Sequence, residues 1–313
     1  MSQAIRIEGL GKSFGKTVAL AGVDLEVPAG IVYGLLGPNG AGKTTIVRIL
    51  ATLLRPDSGR AYVAGLDVVA GGDAVRRVIG LTGQYAALDE ALTATENLVL
   101  IGRLGGMSAR EARVRTADLL EVVGLTAVAG RSVRTYSGGM RRRVDLAASL
   151  VGRPRVLFLD EPTTGLDPAS RLALWDLVGR TVQDGTTVLL TTQYLEEVDR
   201  LASRIAVLNH GRVIAEGTPA RLKARVGGHA VAVRVRTELI DQTVTALSAM
   251  GRVQVEIDQV SVPALGQAGL AEAMRRLESA GVVVDEIALR APTLDEVFLS
   301  LTNGGGNHDE EAA

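Results

Sequence analysis

Two stretches of this sequence combine residue types that can handle phosphate. The first is Gly37-Pro38-Asn39-Gly40-Ala41-Gly42-Lys43-Thr44-Thr45, which fits the spacing Gly-x-x-x-x-Gly-Lys-Ser/Thr. Its glycines let the backbone fold into a concave nest whose N–H groups face phosphate oxygens. Lys43 supplies a point charge for β- and γ-phosphates, and the Thr44 hydroxyl suits Mg²⁺. The second stretch is Val156-Leu157-Phe158-Leu159-Asp160-Glu161-Pro162, an apolar run closed by two carboxylates. Asp160 suits the shell of the same Mg²⁺, and Glu161 is placed to orient and deprotonate an attacking water. The plainer alternatives are a glycine turn that happens to precede a helix, and a solvated acidic strand end. Neither explains why the two occur together in one chain.

The flanking elements supply the context that this chemistry requires. Gly30-Ile31-Val32-Tyr33-Gly34-Leu35-Leu36 is a short apolar run suited to a buried strand. From Thr44 onward Ile46, Val47, Ile49, Leu50 and Leu53 follow helical spacing, so the loop ends on a helix start whose dipole favours an anion. Val156 to Leu159 read as a buried strand, and ligand chemistry in open α/β sheets sits beyond strand ends of this kind. A third segment, Tyr136-Ser137-Gly138-Gly139-Met140, opens another helix. Serine and two glycines there fit either an ordinary N-cap or a second anion-binding helix start.

Composition narrows the field. The chain has 313 residues, enough for one large domain and a smaller one, and 47% hydrophobic residues can fill a sizeable core. A formal net charge of −1 gives no general case for nucleic acid or anionic lipid as partner. Without cysteine there are no disulfides, thiolate metal sites or cysteine nucleophiles. His210, His229 and His308 are scattered and form no metal cluster in sequence. No secretory leader and no membrane-spanning run is expected, so any membrane role must come through a partner.

Taken in order, residues 5–27 read as strands joined by turns, and residues 57–84 as a second antiparallel piece. Phe14 is either a hydrophobic anchor under its turn or, with Val18, a face on which a base could stack. Thr93-x-x-Glu96 and Ser108-x-x-Glu111 fit the capping box, so residues 85–137 are expected to form a helical subdomain. Strands are expected over 187–192, 205–208 and 213–215. Beyond about residue 224 the pattern runs strand, helix, strand, strand, helix, strand, helix, the order of a ferredoxin-like unit. It closes on Thr293-Leu294-Asp295-Glu296-Val297-Phe298-Leu299-Ser300-Leu301, a capped amphipathic helix. Its apolar stripe could pack on its own sheet or serve as a docking face. Residues 304–313 read as a disordered tail.

These segments, in this order, resemble the ATP-binding subunit of an ABC transporter over about residues 3–219. Residues 37–45 match the Walker A loop, residues 136–140 the signature, and residues 156–161 Walker B with its catalytic glutamate. Gly165-Leu166-Asp167 match the D-loop, which adds Asp167 to the nucleotide contacts. The resemblance further implies that Gln84 belongs to the loop facing the membrane subunit and reaches the metal. It places Phe14 where the family has its adenine-stacking aromatic. It sets Gln193 where a switch histidine usually stands; a glutamine amide can donate to a γ-phosphate but cannot take a proton as imidazole does. The signature also departs from the commoner Leu-Ser-Gly-Gly-Gln, because Met140 lacks the polar contacts of glutamine. Gln193, the Tyr-Ser-Gly-Gly-Met signature and the Asp-Glu-Val-Phe-Leu ending together resemble the daunorubicin-resistance group of drug exporters.

The expected architecture is therefore α/β. A P-loop NTPase domain at 3–220 carries an antiparallel β piece and the helical subdomain, and a C-terminal α+β domain follows at 224–303. The resemblance implies ATP and Mg²⁺, a homodimer that sandwiches two nucleotides, and a separate multi-span permease, and on the charge balance no nucleic-acid partner is expected. It places the chain on the cytoplasmic face of the membrane. Three other readings remain. A non-transport ATPase of this fold, acting on DNA or ribosomes, would usually need a coiled-coil insertion, a zinc module or two ATPase halves. A small-molecule kinase would leave Ser137-Gly138-Gly139 unexplained. An importer ATPase differs only in the direction of transport.

Overall fold

The computed structural model describes residues 3–83, 88–226, 229–264 and 266–303. Gln84 and the tail at 304–313 lie outside them. Residues group into two compact units divided between Pro219 and Ala220.

The first unit opens with two long strands, β1 (Gln3–Phe14) and β2 (Thr17–Pro28). The short buried strand β3 (Val32–Leu36) then leads through the glycine loop into α1 (Lys43–Leu50). Next come β4 (Ser58–Val63), β5 (Leu66–Asp67), α2 (Gly72–Arg76) and β6 (Ile79–Thr82). Three helices follow: α3 (Ala94–Leu104), α4 (Ala109–Val122) and α5 (Gly138–Leu150). The unit then alternates β7 (Val156–Asp160), α6 (Pro168–Gln183), β8 (Thr187–Thr192), α7 (Leu195–Leu201) and β9 (Arg204–Asn209). The edge strand β10 (Arg212–Gly217) follows, and α8 (Pro219–Val226) begins at the division between the units.

Two sheets share one core. An antiparallel sheet runs β2-β1-β4-β5, and a six-stranded sheet runs β10-β9-β3-β8-β7-β6. Within the second, β9, β3, β8, β7 and β6 pair parallel and only β10 is antiparallel. Parallel strands covered on both faces need unbroken apolar runs. Accordingly every residue of β3, β7 and β8 is buried. Ile5, Ile7, Leu10 and Leu25 of the antiparallel sheet pack with Leu35, Ile46, Ile49 and Phe158 in a common cluster.

One sequence expectation needs correction. Residues 57–84 do not form a single antiparallel piece, because β6 leaves the β4–β5 sheet and pairs parallel with β7. Four residues carry no signal of strand direction, and the α2 crossover changes sheet. Gly80 lets this strand lie close under α5: a Cβ there would press on the Ser149 carbonyl.

Both expected capping boxes form. Glu96 N–H donates to Thr93 Oγ1 at 3.1 Å, and Thr93 N–H donates back to the Glu96 carboxylate at 2.8 Å. Ser108 and Glu111 make the same exchange at the start of α4.

The second unit contains β11 (Ala230–Arg234), α9 (Ile240–Leu247), β12 (Gln254–Glu256) and β13 (Gln259–Pro263). It continues with α10 (Gly266–Ser279), β14 (Glu286–Arg290) and α11 (Leu294–Asn303). Its antiparallel sheet runs β12-β13-β11-β14, so β13 lies between β11 and β12 as in a split βαβ. Val231, Val233, Val260 and Val262 pack against Leu247 and Leu277 of the helices. The α11 cap forms between Thr293 and Glu296, and Leu294 and Val297 are buried.

Candidate functional site

The carboxyl ends of β3, β8 and β7 lie side by side, and this neighbourhood assembles the site. Sequence order separates residues 37–45 from Asp160 and Glu161 by more than a hundred positions, and the strand order brings them together with β8 between. Gly42 stands at φ 108°, a left-handed backbone that an L side chain rarely adopts, so the loop can turn directly into α1. There Lys43 is 4% exposed, and its Nζ donates to the carbonyls of Gly37 at 2.7 Å and Pro38 at 3.0 Å. These two bonds hold the ammonium over the mouth of its own loop. Burial pulls its pKa below the usual lysine range, while the charges of Glu161 and then Asp160 pull it back up.

Thr44 Oγ1 donates to Asp160 Oδ1 at 3.2 Å. The same carboxylate oxygen accepts a very short bond from Thr191 Oγ1 of β8. Asp160 is 4% exposed, so a buried acceptor is held beside the first turn of α1 by two hydroxyls. Glu161 Oε1 lies 4.0 Å from Lys43 Nζ. Glu161 itself sits at φ 49°, an uncommon conformation for a residue with a side chain, and its N–H donates to the Thr191 carbonyl at 3.0 Å. Such strain is held only where surrounding structure over-determines it.

A groove of 480 Å³ runs over this cluster, lined by Phe14, Ala19, residues 39–45 (Asn39, Gly40, Ala41, Gly42, Lys43, Thr44 and Thr45) and Glu161. Phe14 is 50% exposed at the end of β1 and Val18 is 58% exposed, so neither is an anchor buried under the turn. Lys12 Nζ lies 5.7 Å from the Phe14 ring centroid, and the lysine is held by Asp57 at 2.6 Å.

Among the described residues, the other candidates from Tyr136 to Gln193 do not line this groove. Ser137 caps α5, accepting from Met140 N–H at 3.2 Å, and Ser137 and Gly138 are exposed. Gly139 is buried against α6: a Cβ there would come within 2.8 Å of Ser170 Cβ and closer still to its hydroxyl. Tyr136 is buried, with its hydroxyl donating to the Val128 carbonyl at 2.7 Å. Asp167 caps α6 by accepting from Ser170 N–H at 2.9 Å and Ser170 Oγ at 2.6 Å, and the Ser170 hydroxyl, then its N–H, holds the carboxyl below the usual aspartate range. Gln193 follows the last residue of β8 and is partly exposed.

Three contributors escaped the sequence reading. Thr191 looks like one more strand residue, yet it bridges Asp160. Glu197 is 1% exposed and accepts from the Trp175 indole at 3.2 Å, and burial raises its pKa against the opposing pull of its polar neighbours. Arg142 sits in a run of three arginines that α5 fans in different directions. Arg141 reaches Glu90 at 2.8 Å and Arg143 the Val123 carbonyl at 3.0 Å, whereas Arg142 points at the strand ends.

The pattern of the ABC transporter family matches residues 20–164. The chain is 53% identical to the daunorubicin resistance ATP-binding protein DrrA3 of Streptomyces coeruleorubidus, over 99% of each chain. It is 50% identical to the daunorubicin/doxorubicin resistance ATP-binding protein DrrA of Streptomyces peucetius, over 100% of this chain and 97% of the other. Among solved structures it resembles an ATP-binding cassette captured as a post-hydrolysis dimer with ADP and Pi. That match has a TM-score of 0.62 and 28% identity, and covers 68% of this chain and 98% of that one. This chain therefore belongs to the ABC transporter family, as one of its nucleotide-binding, ATP-hydrolysing subunits.

Proposed function

We propose that this ATPase works as a homodimer around two ATP molecules and drives a separate membrane permease that exports drugs, antibiotics or other lipophilic compounds. The observation that carries the reading is the split between the two anion-binding helix starts. The groove at residues 39–45 collects Lys43 and Glu161, whereas the exposed Ser137 and Gly138 lie outside its lining. A second copy would present Ser137-Gly138-Gly139 to the nucleotide held by the first. ATP touches both faces only when the copies are closed, so it shifts the population towards the closed dimer.

In this reading the loop N–H groups and Lys43 hold the β- and γ-phosphates, Phe14 and Val18 carry the adenine, and Gln193 and Asp167 contact the γ-phosphate region from the side. Glu161 orients the attacking water and takes its proton. Asp160 and Thr44 fit Mg²⁺: an acidic oxygen and a hydroxyl are held at 3.2 Å, and one carboxylate plus phosphate oxygens is a normal environment for this ion. Gln84 would complete that shell. Bound Mg²⁺ supplies charge neutralisation on the phosphates.

Among the described residues no helix is long and apolar enough to cross a membrane. Membrane coupling is thus assigned to a partner, through Gln84 and α3–α4. The relatives' names, which record resistance to daunorubicin and doxorubicin, favour export over import. Capture of the tagged full-length chain from detergent-solubilised native membranes tests this. A stoichiometric multi-span protein is the expected companion. Recovery of ribosomes, nucleic acid or soluble proteins alone would move the non-transport ATPase to first place.

A further inference from the structure

Arg142 is the most heavily engaged side chain beside the site, and nothing in the phosphate chemistry above uses it. Its side chain is 12% exposed and paired with Asp145 at 3.3 Å, itself 4% exposed and one turn further along α5. Its remaining donors go to main-chain carbonyls on two strand ends. Nε donates to Pro162 at 2.8 Å and one terminal nitrogen to Gly83 at 2.6 Å. The other terminal nitrogen donates to Asp160 at 3.4 Å and Glu161 at 3.3 Å. A guanidinium offers five donors in a fixed planar fork, and a lysine ammonium cannot reproduce that reach.

The two carbonyls met by one nitrogen flank the strained residue. Glu161 is held from β8 through its N–H, which meets the Thr191 carbonyl and, at 3.3 Å, the Thr191 hydroxyl. Arg142 holds the opposite side through the carbonyls of residues 160, 161 and 162. Between them these bonds fix a left-handed backbone that a glutamate adopts only under constraint, and that backbone aims the carboxylate towards Lys43.

We propose that Arg142 is a positioning residue for hydrolysis, setting the backbone of Glu161 from the helix that begins at Ser137. The inference rests on Glu161 being the group that activates water. It adds a path within one copy: α5 presents Ser137-Gly138 to the partner's nucleotide at one end and holds this copy's Glu161 one turn later. A shift of α5 on engagement therefore moves the carboxylate, and the Gly83 carbonyl that Arg142 also holds, in the same step.

The test uses the full-length chain, in the membranes or complex where the unsubstituted chain turns over ATP. Arg142→Lys keeps the charge and most of the stem, and Arg142→Met removes the charge; ATP affinity is measured for both to confirm a folded site. Displacing a reacting group by about 1 Å costs on the order of 100-fold. The expected result is a fall in kcat of about 10- to 100-fold with KM within about twofold, the lysine variant losing less. Combined with Glu161→Gln, either substitution should produce no further fall, because the two act as one unit. Wild-type kcat in either folded variant overturns the proposal, as does a fall that multiplies with that of Glu161→Gln. If Glu161→Gln alone leaves turnover intact, the assignment of Glu161 fails first, and the role of Arg142 fails with it.

Discussion

The two units of this chain each lay helices on a sheet, but they bury different kinds of groups. In the first, Lys43, Asp145, Asp160, Thr191, Thr192 and Glu197 are nearly inaccessible to solvent, and most gather at the carboxyl ends of β7 and β8. In the second, Thr243 is the one buried polar residue among those described, and its hydroxyl is spent locally on the Leu239 carbonyl. Burying a charge costs several kcal/mol unless it is paired, and a chain that needs only stability does not collect such groups. The contrast separates a core built to hold charge in place from one built of valine and leucine to hold a shape.

Substitutions can break or sharpen that contrast. The largest effect is expected from Glu161→Gln, which keeps the shape and removes the base. ATP turnover should fall by about 10²- to 10⁴-fold while nucleotide still binds. Next is Leu247→Ala in the second unit, fully buried in the valine core. It should cost about 2–5 kcal/mol of that unit's stability, read as an earlier thermal transition, with ATP affinity unchanged. A matching loss of nucleotide affinity would show that the second core supports the site after all. Lys43→Met removes a buried charge that would meet phosphate. A charge-assisted hydrogen bond is worth about 1.5–3 kcal/mol, so ATP should bind roughly 10- to 100-fold more weakly in titrations of the purified chain.

A subtler comparison lies within Ser137-Gly138-Gly139. A Cβ at Gly139 meets Ser170, whereas one at Gly138 meets nothing within 4 Å. Gly139→Ala should therefore destabilise the fold through overpacking by about 1–3 kcal/mol, read as a lower melting temperature. Gly138→Ala should leave melting unchanged, so any loss of turnover it causes reports contact with a nucleotide on another copy. Equal melting losses from both would show that the pair serves only to start α5.

Much of this molecule was legible in the sequence, for reasons that also mark where legibility stops. The loop at 37–45 and the acidic strand end at 156–161 combine rare residue types at fixed spacing between elements of clear periodicity, and the structure brings Lys43, Thr44, Asp160 and Glu161 together. Thr93 and Ser108 announced helix starts because a capping box is a local arrangement of four residues. Strand order is not local. Nothing in Val78-Ile79-Gly80-Leu81-Thr82 says that it lies beside β7, and nothing in Thr191 says that β8 separates β3 from β7 and lends a hydroxyl to Asp160. Arg142 was hidden for a different reason. Three consecutive arginines look alike on paper, and only the rotation of about 100° per helical residue sends the middle one inward.

The central claim is that one copy's loop and another copy's Ser137-Gly138-Gly139 complete a single site. The most direct measurement is the solution mass of the Glu161→Gln chain by light scattering, with and without Mg-ATP. Doubling of the mass with Mg-ATP, abolished by adding Lys43→Met or by replacing ATP with ADP, is the predicted result. A chain that binds ATP tightly and stays at monomer mass would contradict the account.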